Sequence, residues 1–467
     1  MIFKSKSKVK NKNKQTQANV AVLIVLLIAM ISAANAHSGS IETKISEIIE
    51  HKLTVEKQGV GVSVIIIENN KISYLNHGLA KKETKQLIDS NTLFEIGSIS
   101  KTFTALALAS MVNEGKIKLT DPVQKFLPDE IRLPIKNGKA ITFLSLANHS
   151  SGLPRLPTNM PFTDPLDPYA DYTVEMMVEF LNGYQLPREV GEQTEYSNLG
   201  VGLLGYVLSL IDNKSYQGLI KDRVLNNLKM DNTFVNLPTA KLNSLSDGHN
   251  DQLKPTKHWQ LPTLAGAGAI KSSATDMALF LKANMQQQAL NKDIALSQTI
   301  STDFDTNSTK IALAWLNISS ESSQYYMHNG GTGGFRSFIG FDKQKQKGIV
   351  ILANSVFDMD EIGHAYLTES LDKIAMNTPV AVSTKDLVKL NGRFELVPGF
   401  VLTISHDDEQ LFVQATGQSK LSLSALSKTE FVNQGVKAKI VFELDEQGDA
   451  KSLTMYQAGQ ILPGVKL

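Results

Sequence analysis

Ser98 and Lys101 stand three residues apart in Phe94-Glu95-Ile96-Gly97-Ser98-Ile99-Ser100-Lys101, the run that opens a helix predicted over Thr102–Asn113. Residues i and i+3 share a helix face, so the amine sits one turn from the hydroxyl. A serine hydroxyl is a weak nucleophile until a base takes its proton. A lysine held off water by neighbours such as Phe103 and Leu106 has a lowered pKa and can serve as that base. Ser98 would also lie at a helix N-terminus, where free backbone N–H groups and the helix dipole favour a developing anion. Nucleophile, amine and part of an anion site thus fit within four residues.

Two further stretches carry matching chemistry. Tyr196-Ser197-Asn198 precedes a helix predicted over Leu199–Leu210. A phenol is a poor base at its ordinary pKa near 10, and a neighbouring Lys101 ammonium would favour its phenolate. Asn198 can hold a substrate carbonyl through its amide N–H while its oxygen orients Lys101. His328-Asn329-Gly330-Gly331-Thr332-Gly333-Gly334-Phe335 precedes a strand. Its glycines let a substrate backbone lie close against the edge as an added strand, with the N–H of Gly331 as a second oxyanion donor. No H-E-x-x-H is present, which argues against a metal hydrolase, and no G-x-S-x-G, which argues against an α/β-hydrolase.

The elements that must position these residues can be read in outline. Val60–Ile67 is a continuous β-branched run, and Ile72–Leu75 pairs back on it as a hairpin. Ile41–Val55 has helical periodicity, and Thr120-Asp121-Pro122 reads as a helix start with Asp121 as N-cap. The chain to Met285 is mostly helical, with an irregular loop over Pro154–Pro168 and a helix over Ser273–Met285. Strands return at Ser337–Phe341 and Gly348–Ala353, and a helix is expected over Ile362–Ile374. Strands at both ends with helices between imply an α/β (α+β) unit: an antiparallel sheet flanked by helices, with an inserted all-helical lobe. After a linker at Pro379–Lys385 the pattern is all-β, with short strands at Phe400–Ile404, Gln410–Gln414, Lys420–Ser424, Lys439–Leu444 and Ser452–Tyr456. Their regular spacing suggests a small barrel or sandwich.

Composition narrows the function classes. Lys and Arg number 47 against 46 Asp and Glu, for a formal net charge of +1, so no nucleic-acid-binding excess is present. The absence of cysteine excludes disulfides, thiolate metal sites, a cysteine nucleophile and a cysteine-linked lipid anchor.

Taken together, the chain from about Val60 to Ser355 resembles the family of class C β-lactamases and D-alanyl-D-alanine carboxypeptidases. The resemblance rests on F-E-I-G-S-I-S-K-T-F-T (Phe94–Thr104), N-H-S-S-G-L-P (Asn148–Pro154), Y-S-N (Tyr196–Asn198), L-A-G-A-G-A-I-K-S-S (Leu264–Ser273) and H-N-G-G-T-G-G-F, in matching order. It implies the fold just described. It also implies an acylated Ser98, with Lys101 and Tyr196 as the proton-transfer pair. Backbone N–H groups of Ser98 and Gly331 would form the oxyanion hole, and Asn198, His328, Gly330, Gly331 and Thr332 the substrate contacts. The implied substrate is a small peptide, an ester or a β-lactam, with no metal, other cofactor or nucleic acid. His328 occupies the place of the lysine in the K-T-G of the class, Asn329 replaces the threonine, and Leu156 stands where many class C β-lactamases have glutamine. These departures point toward the peptidase and esterase members. A non-catalytic member that binds peptidoglycan-like peptides or serves as a scaffold is the reading from another class.

The N-terminus carries an address. Lys4, Lys6, Lys8, Lys10, Lys12 and Lys14 precede the apolar run Val20–Ile31, and Ala34-Asn35-Ala36 follows. This is the pattern of a secretory signal peptide over residues 1–36, and the apolar core is short of the roughly 20 residues of a membrane span. A periplasmic or secreted protein is expected, with an uncleaved membrane anchor as the alternative. The expected organisation is a hydrolase unit over 37–378 and a small β-domain over 385–467.

Overall fold

The computed structural model describes residues 41–467, apart from 287–289, 305, 321–322, 434–435, 437 and 458–459. The expected signal peptide lies outside the described residues. Among the described residues, no helix is long and apolar enough to cross a membrane.

The apolar run near residue 60 forms β1 (Gly61–Glu68), buried along nearly its whole length. It turns at Asn69-Asn70, both with positive φ, into β2 (Lys71–Lys81). β3 (Gln86–Leu87) follows. On its other side β1 takes up β9 (Lys347–Ala353) antiparallel, with Val62 opposite Ala353 and Glu68 opposite Lys347. The two ends of the unit thus build one sheet, as expected. Between them come β4 (Thr302–Phe304), β5 (Thr306–Ile311), β6 (Leu316–Ser319), β7 (Gln324–Gly331) and β8 (Arg336–Asp342), in the order β3-β2-β1-β9-β8-β7-β6-β5-β4. β7 pairs with β8 up to Gly331, but β6 accompanies it only from Gln324 to Met327. The stretch His328–Gly331 therefore has a ladder on one side.

Four helices matter for the site: α1 (Ser100–Asn113), α2 (Asn198–Asp212), α3 (Ala274–Gln286) and α4 (Asp360–Leu367). Alternation along β8 separates the two faces of the sheet. Phe338 meets His364 of α4 edge-on, at 5.2 Å between ring centroids. Phe341, of opposite parity, packs on Trp315, which stacks on Phe280 of α3. α1 is buried from Ser100 to Met111, the pattern of a helix encased on all sides, and its Phe103 stacks on Phe280 at 4.0 Å. Its far end is clamped to that of α2. The buried Arg223 donates to both carboxylate oxygens of Asp212 at 3.1 and 2.8 Å, and to those of Glu114 at 3.0 and 3.2 Å.

Several boundaries differ from expectation. Asp121 caps no helix: a short 3-10 turn, Val123–Phe126, follows the extended Pro122, and Asp121 Oδ2 accepts from the Lys118 N–H at 2.8 Å. The helix expected over Ile362–Ile374 stops at Leu367. Glu369 has φ +58°, and the chain resumes as a 3-10 turn over Leu371–Lys373.

The C-terminal part is a closed barrel of eight antiparallel strands, β10 (Gly392–Val397), β11 (Phe400–Asp407), β12 (Gln410–Ala415), β13 (Leu421–Ala425), β14 (Glu430–Asn433), β15 (Ala438–Leu444), β16 (Ala450–Gln457) and β17 (Gln460–Lys466). Closure comes from β10 pairing with β17, Phe394 opposite Lys466. Phe394, Phe431 and Phe442 fill the interior edge to face. The five strands expected from the sequence are all present, and β10, β14 and β17 are additional.

Candidate active site

Ser98 lies in a 3-10 turn, Gly97–Ile99, that runs into α1 at Ser100, so it sits just ahead of the helix rather than on its first turn. Glycine on both sides of the cleft lets this turn touch the end of β7. A Cβ on Gly97, whose φ is +49°, would stand 2.6 Å from Gly331 N, and one on Gly330 would stand 2.1 Å from Ile96 O and 3.0 Å from Ser98 N. Any side chain there would drive the two backbones apart. Ser98, Gly330 and Gly331 consequently share the lining of one cleft of about 890 Å³.

Lys101 is fully buried, because the helix that carries it is. Its Nζ has three neighbours: Ala267 O at 2.7 Å, Asn198 Oδ1 at 2.9 Å and Ser98 Oγ at 3.0 Å. Burial pushes this amine well below the ordinary lysine value, and the charge of Arg155 pushes the same way. A neutral amine gives its two hydrogens to the carbonyl and the amide oxygen. Its lone pair is then left for the Ser98 hydroxyl.

Ser197, not Asn198, is the N-cap of α2: its Oγ accepts from the Gly200 N–H at 2.8 Å. That frees Asn198 to point its Oδ1 at Lys101, as expected. Its Nδ2 donates to the Tyr169 hydroxyl at 3.0 Å. Tyr196 hydrogen-bonds Ser98, and its ring lies under the Lys101 amine, 4.8 Å from centroid to Nζ. The expected phenolate is not favoured. Burial raises the Tyr196 pKa, outweighing the opposite effects of the Ser98 hydrogen bond and the Arg155 charge. Desolvation thus favours the uncharged form of both members of the pair, amine and phenol.

His328 is buried at the floor of the same cleft. Its Nδ1–H donates to the carbonyl of Asn329 at 2.6 Å, which leaves Nε2 as an acceptor. Burial, reinforced by Lys101, pushes its pKa down to about 3, so it stays neutral through the physiological range. The Oγ1 of Thr332 is buried with no hydrogen-bond partner among the described residues. Arg336 also lines the cleft, half-buried, donating from Nη1 to Thr332 O and Phe335 O at 2.8 Å. The register sets His328 opposite Ile339 and Arg336 opposite Gly331, an odd number of residues apart, so the two do not share a strand face.

Sequence reasoning missed three neighbours. Arg155 comes from the irregular loop and Tyr169 from the residue just past its expected end, where no periodicity marks a residue. Arg155 also accepts the Asn198 N–H at its carbonyl, 3.0 Å, and lies 5.1 Å over the Tyr196 ring. His149, within the quoted N-H-S-S-G-L-P, packs behind Tyr196 at 4.5 Å between ring centroids, and its Nδ1 accepts from the Ser197 N–H at 3.2 Å. Burial, then Lys101, His328 and Arg155, hold His149 well below its ordinary value.

The sequence model of the family described as Beta-lactamase matches residues 42–373, and the chain belongs to that family. A second model, for a domain of unknown function (DUF3471), matches residues 377–463. The β-lactamase of Pseudomonas fluorescens is 29% identical over 367 residues, covering 70% of this chain and 99% of that one. That of Escherichia coli (strain K12) is 28% identical over 364 residues, 70% and 93%. Among solved structures, a β-lactamase/D-alanine carboxypeptidase from Pseudomonas syringae superposes with TM-score 0.62 at 24% identity, covering 72% of this chain and 99% of that one. A D-alanine carboxypeptidase from Burkholderia cenocepacia gives 0.61 at 21%, again 72% and 99%. The shared fold is the antiparallel sheet with its helices.

Proposed function

We propose that this protein is an exported serine hydrolase that forms an acyl-enzyme on Ser98 and acts on D-amino-acid peptides or esters more readily than on β-lactams. The observation that carries the reading is the Lys101 amine, buried and 3.0 Å from Ser98 Oγ. In acylation, Lys101 takes the hydroxyl proton as Ser98 Oγ attacks the substrate carbonyl carbon. The backbone N–H groups of Ser98 and Gly331 receive the oxyanion. Tyr196, a neutral phenol, gives its proton to the leaving amine or alkoxide. The resulting phenolate then takes a proton from the attacking water, and Lys101 returns the first proton to Ser98 Oγ as the acyl group leaves. The books close on one water consumed. The half-open edge His328–Gly331 supports binding of an extended substrate as an added strand.

The preference for peptides and esters rests on His328. A lysine in its place would hold a carboxylate, whereas a neutral imidazole attracts an anion weakly. Asp358 and Asp360 act electrostatically on Arg336, which weakens it as a substitute anion site. The names of the relatives keep a β-lactamase in view as the competing activity. Intact-mass spectrometry after a fluorophosphonate should show one adduct, absent in Ser98→Ala. An adduct that persists in the variant would refute the assignment. A panel of D-Ala-D-Ala peptides, p-nitrophenyl esters and nitrocefin should rank nitrocefin last. For export, N-terminal sequencing of the mature protein should begin at His37, whereas Met1 on a membrane-bound product would support an anchor.

A further inference from the structure

The cleft around Ser98 is not built from the hydrolase fold alone. Val436, in the turn between β14 and β15, and Gln457, the last residue of β16, line it together with Leu316 and Met359. The two barrel positions are tied to each other: Gln457 Nε2 donates to Val436 O at 2.8 Å. The Val436 N–H in turn donates to Asn433 Oδ1 at 3.0 Å, and Asn433 Nδ2 to Ser422 O at 2.7 Å. The Val436 side chain nevertheless stays 39% exposed, an apolar group facing open cleft. At about 890 Å³ the cleft lies near the top of the roughly 300–1,000 Å³ range of small-ligand pockets, more than one amino-acid residue fills.

We propose that the barrel is a specificity-determining part of the acylation site. On the reading of Ser98 as nucleophile, the near carbonyl of the donor meets Ser98, and the distal part of a long acyl chain lies against Val436 and Gln457. The occupant is a peptide or ester acyl donor extending beyond a single residue. Small acyl groups engage the hydrolase fold only and do not sense the barrel. The hydrogen bonds of Asn433 and Gln457 preorganise this wall, which lowers the ordering cost on binding.

The full chain holds no cysteine, so Val436→Cys gives a protein with one thiol. A bulky maleimide attached there should slow labelling of Ser98 by a long-chain fluorophosphonate by about tenfold or more, and labelling by a methyl-sized one by less than about twofold. Gln457→Ala, which frees the Val436 turn, should lower kcat/KM for a long peptide donor about threefold and leave that for p-nitrophenyl acetate unchanged. Unchanged rates with both probes, or equal slowing of both, would overturn the proposal and leave the assignment of Ser98 standing. Absence of a Ser98-dependent adduct in the unmodified protein would overturn that assignment, and the proposal with it.

Discussion

The Nζ of Lys101 stands 3.0 Å from the Oγ of Ser98, in a helix buried from Ser100 to Met111. The distance and the burial have one origin, because α1 is packed all round and Ser98 sits on the turn that enters it. A lysine on a surface helix at the same spacing would be a charged donor and no base. Tyr196 completes the set as a proton donor that burial keeps protonated.

Lys101 and Tyr196 are expected to act as one unit. Lys101→Ala and Tyr196→Phe should each slow Ser98 acylation by about 10²–10⁴-fold, the usual range for a general acid or base. The double variant should lose little more, since residues that act together are non-additive. Stopped-flow acylation of the three variants tests this, and losses that multiply would show independent roles.

Acylation should rise with pH as Lys101 deprotonates, along a limb below the ordinary lysine value. His328, held down to about 3, should contribute nothing to this profile between about pH 5.5 and 7.5. The rate of fluorophosphonate labelling against pH should therefore have the same shape in His328→Gln as in the parent. A changed slope in that window would mean that His328 carries charge there.

The clamp on the far ends of α1 and α2 should matter for stability. Arg223→Met removes the shared donor but leaves the Asp212 carboxylate paired with Lys116 at 2.9 Å, so it should cost about 1.5–3 kcal/mol in urea unfolding. Pairing it with Asp212→Asn should recover part of that loss, since the carboxylate that lost its guanidinium goes with it. Similar midpoints for the single variant and the parent would reduce the clamp to a solvated contact.

Acid should weaken the fold through its histidines. His149 and His328 are neutral when buried but take up protons in the unfolded chain below about 6.5. The unfolded state then binds more protons, so this contribution to stability is complete above about 6.5 and is lost as pH falls toward about 3. Urea midpoints at pH 7 and pH 5 should show the decline, and His328→Gln should make it shallower.

What the sequence disclosed follows from how local each signal is. The Ser98–Lys101 relation is set by one turn of helix, and Tyr196-Ser197-Asn198 by a helix start. The sheet closed by β1 and β9 was legible because both are unbroken apolar runs. β17 was not, because Pro463 sits inside it and Ile461 and Val465 face outward. The charge state of Tyr196 was misjudged for a different reason. Desolvation depends on what packs around a side chain from distant parts of the chain, and no spacing encodes it. Arg155 and Tyr169 escaped because a loop without periodicity marks none of its residues as inward.

The half-open end of β7 carries a consequence for behaviour at high concentration. Unpaired strand edge is a template on which another chain can build, the usual start of edge-to-edge aggregation. Here that edge is only His328 to Gly331, recessed in the cleft, and the barrel beside it is closed on itself. The packed strands of a folded second copy are too bulky for so confined a place, whereas a short peptide is not. The same recess that admits a substrate therefore shields this edge from the sheets of other folded copies.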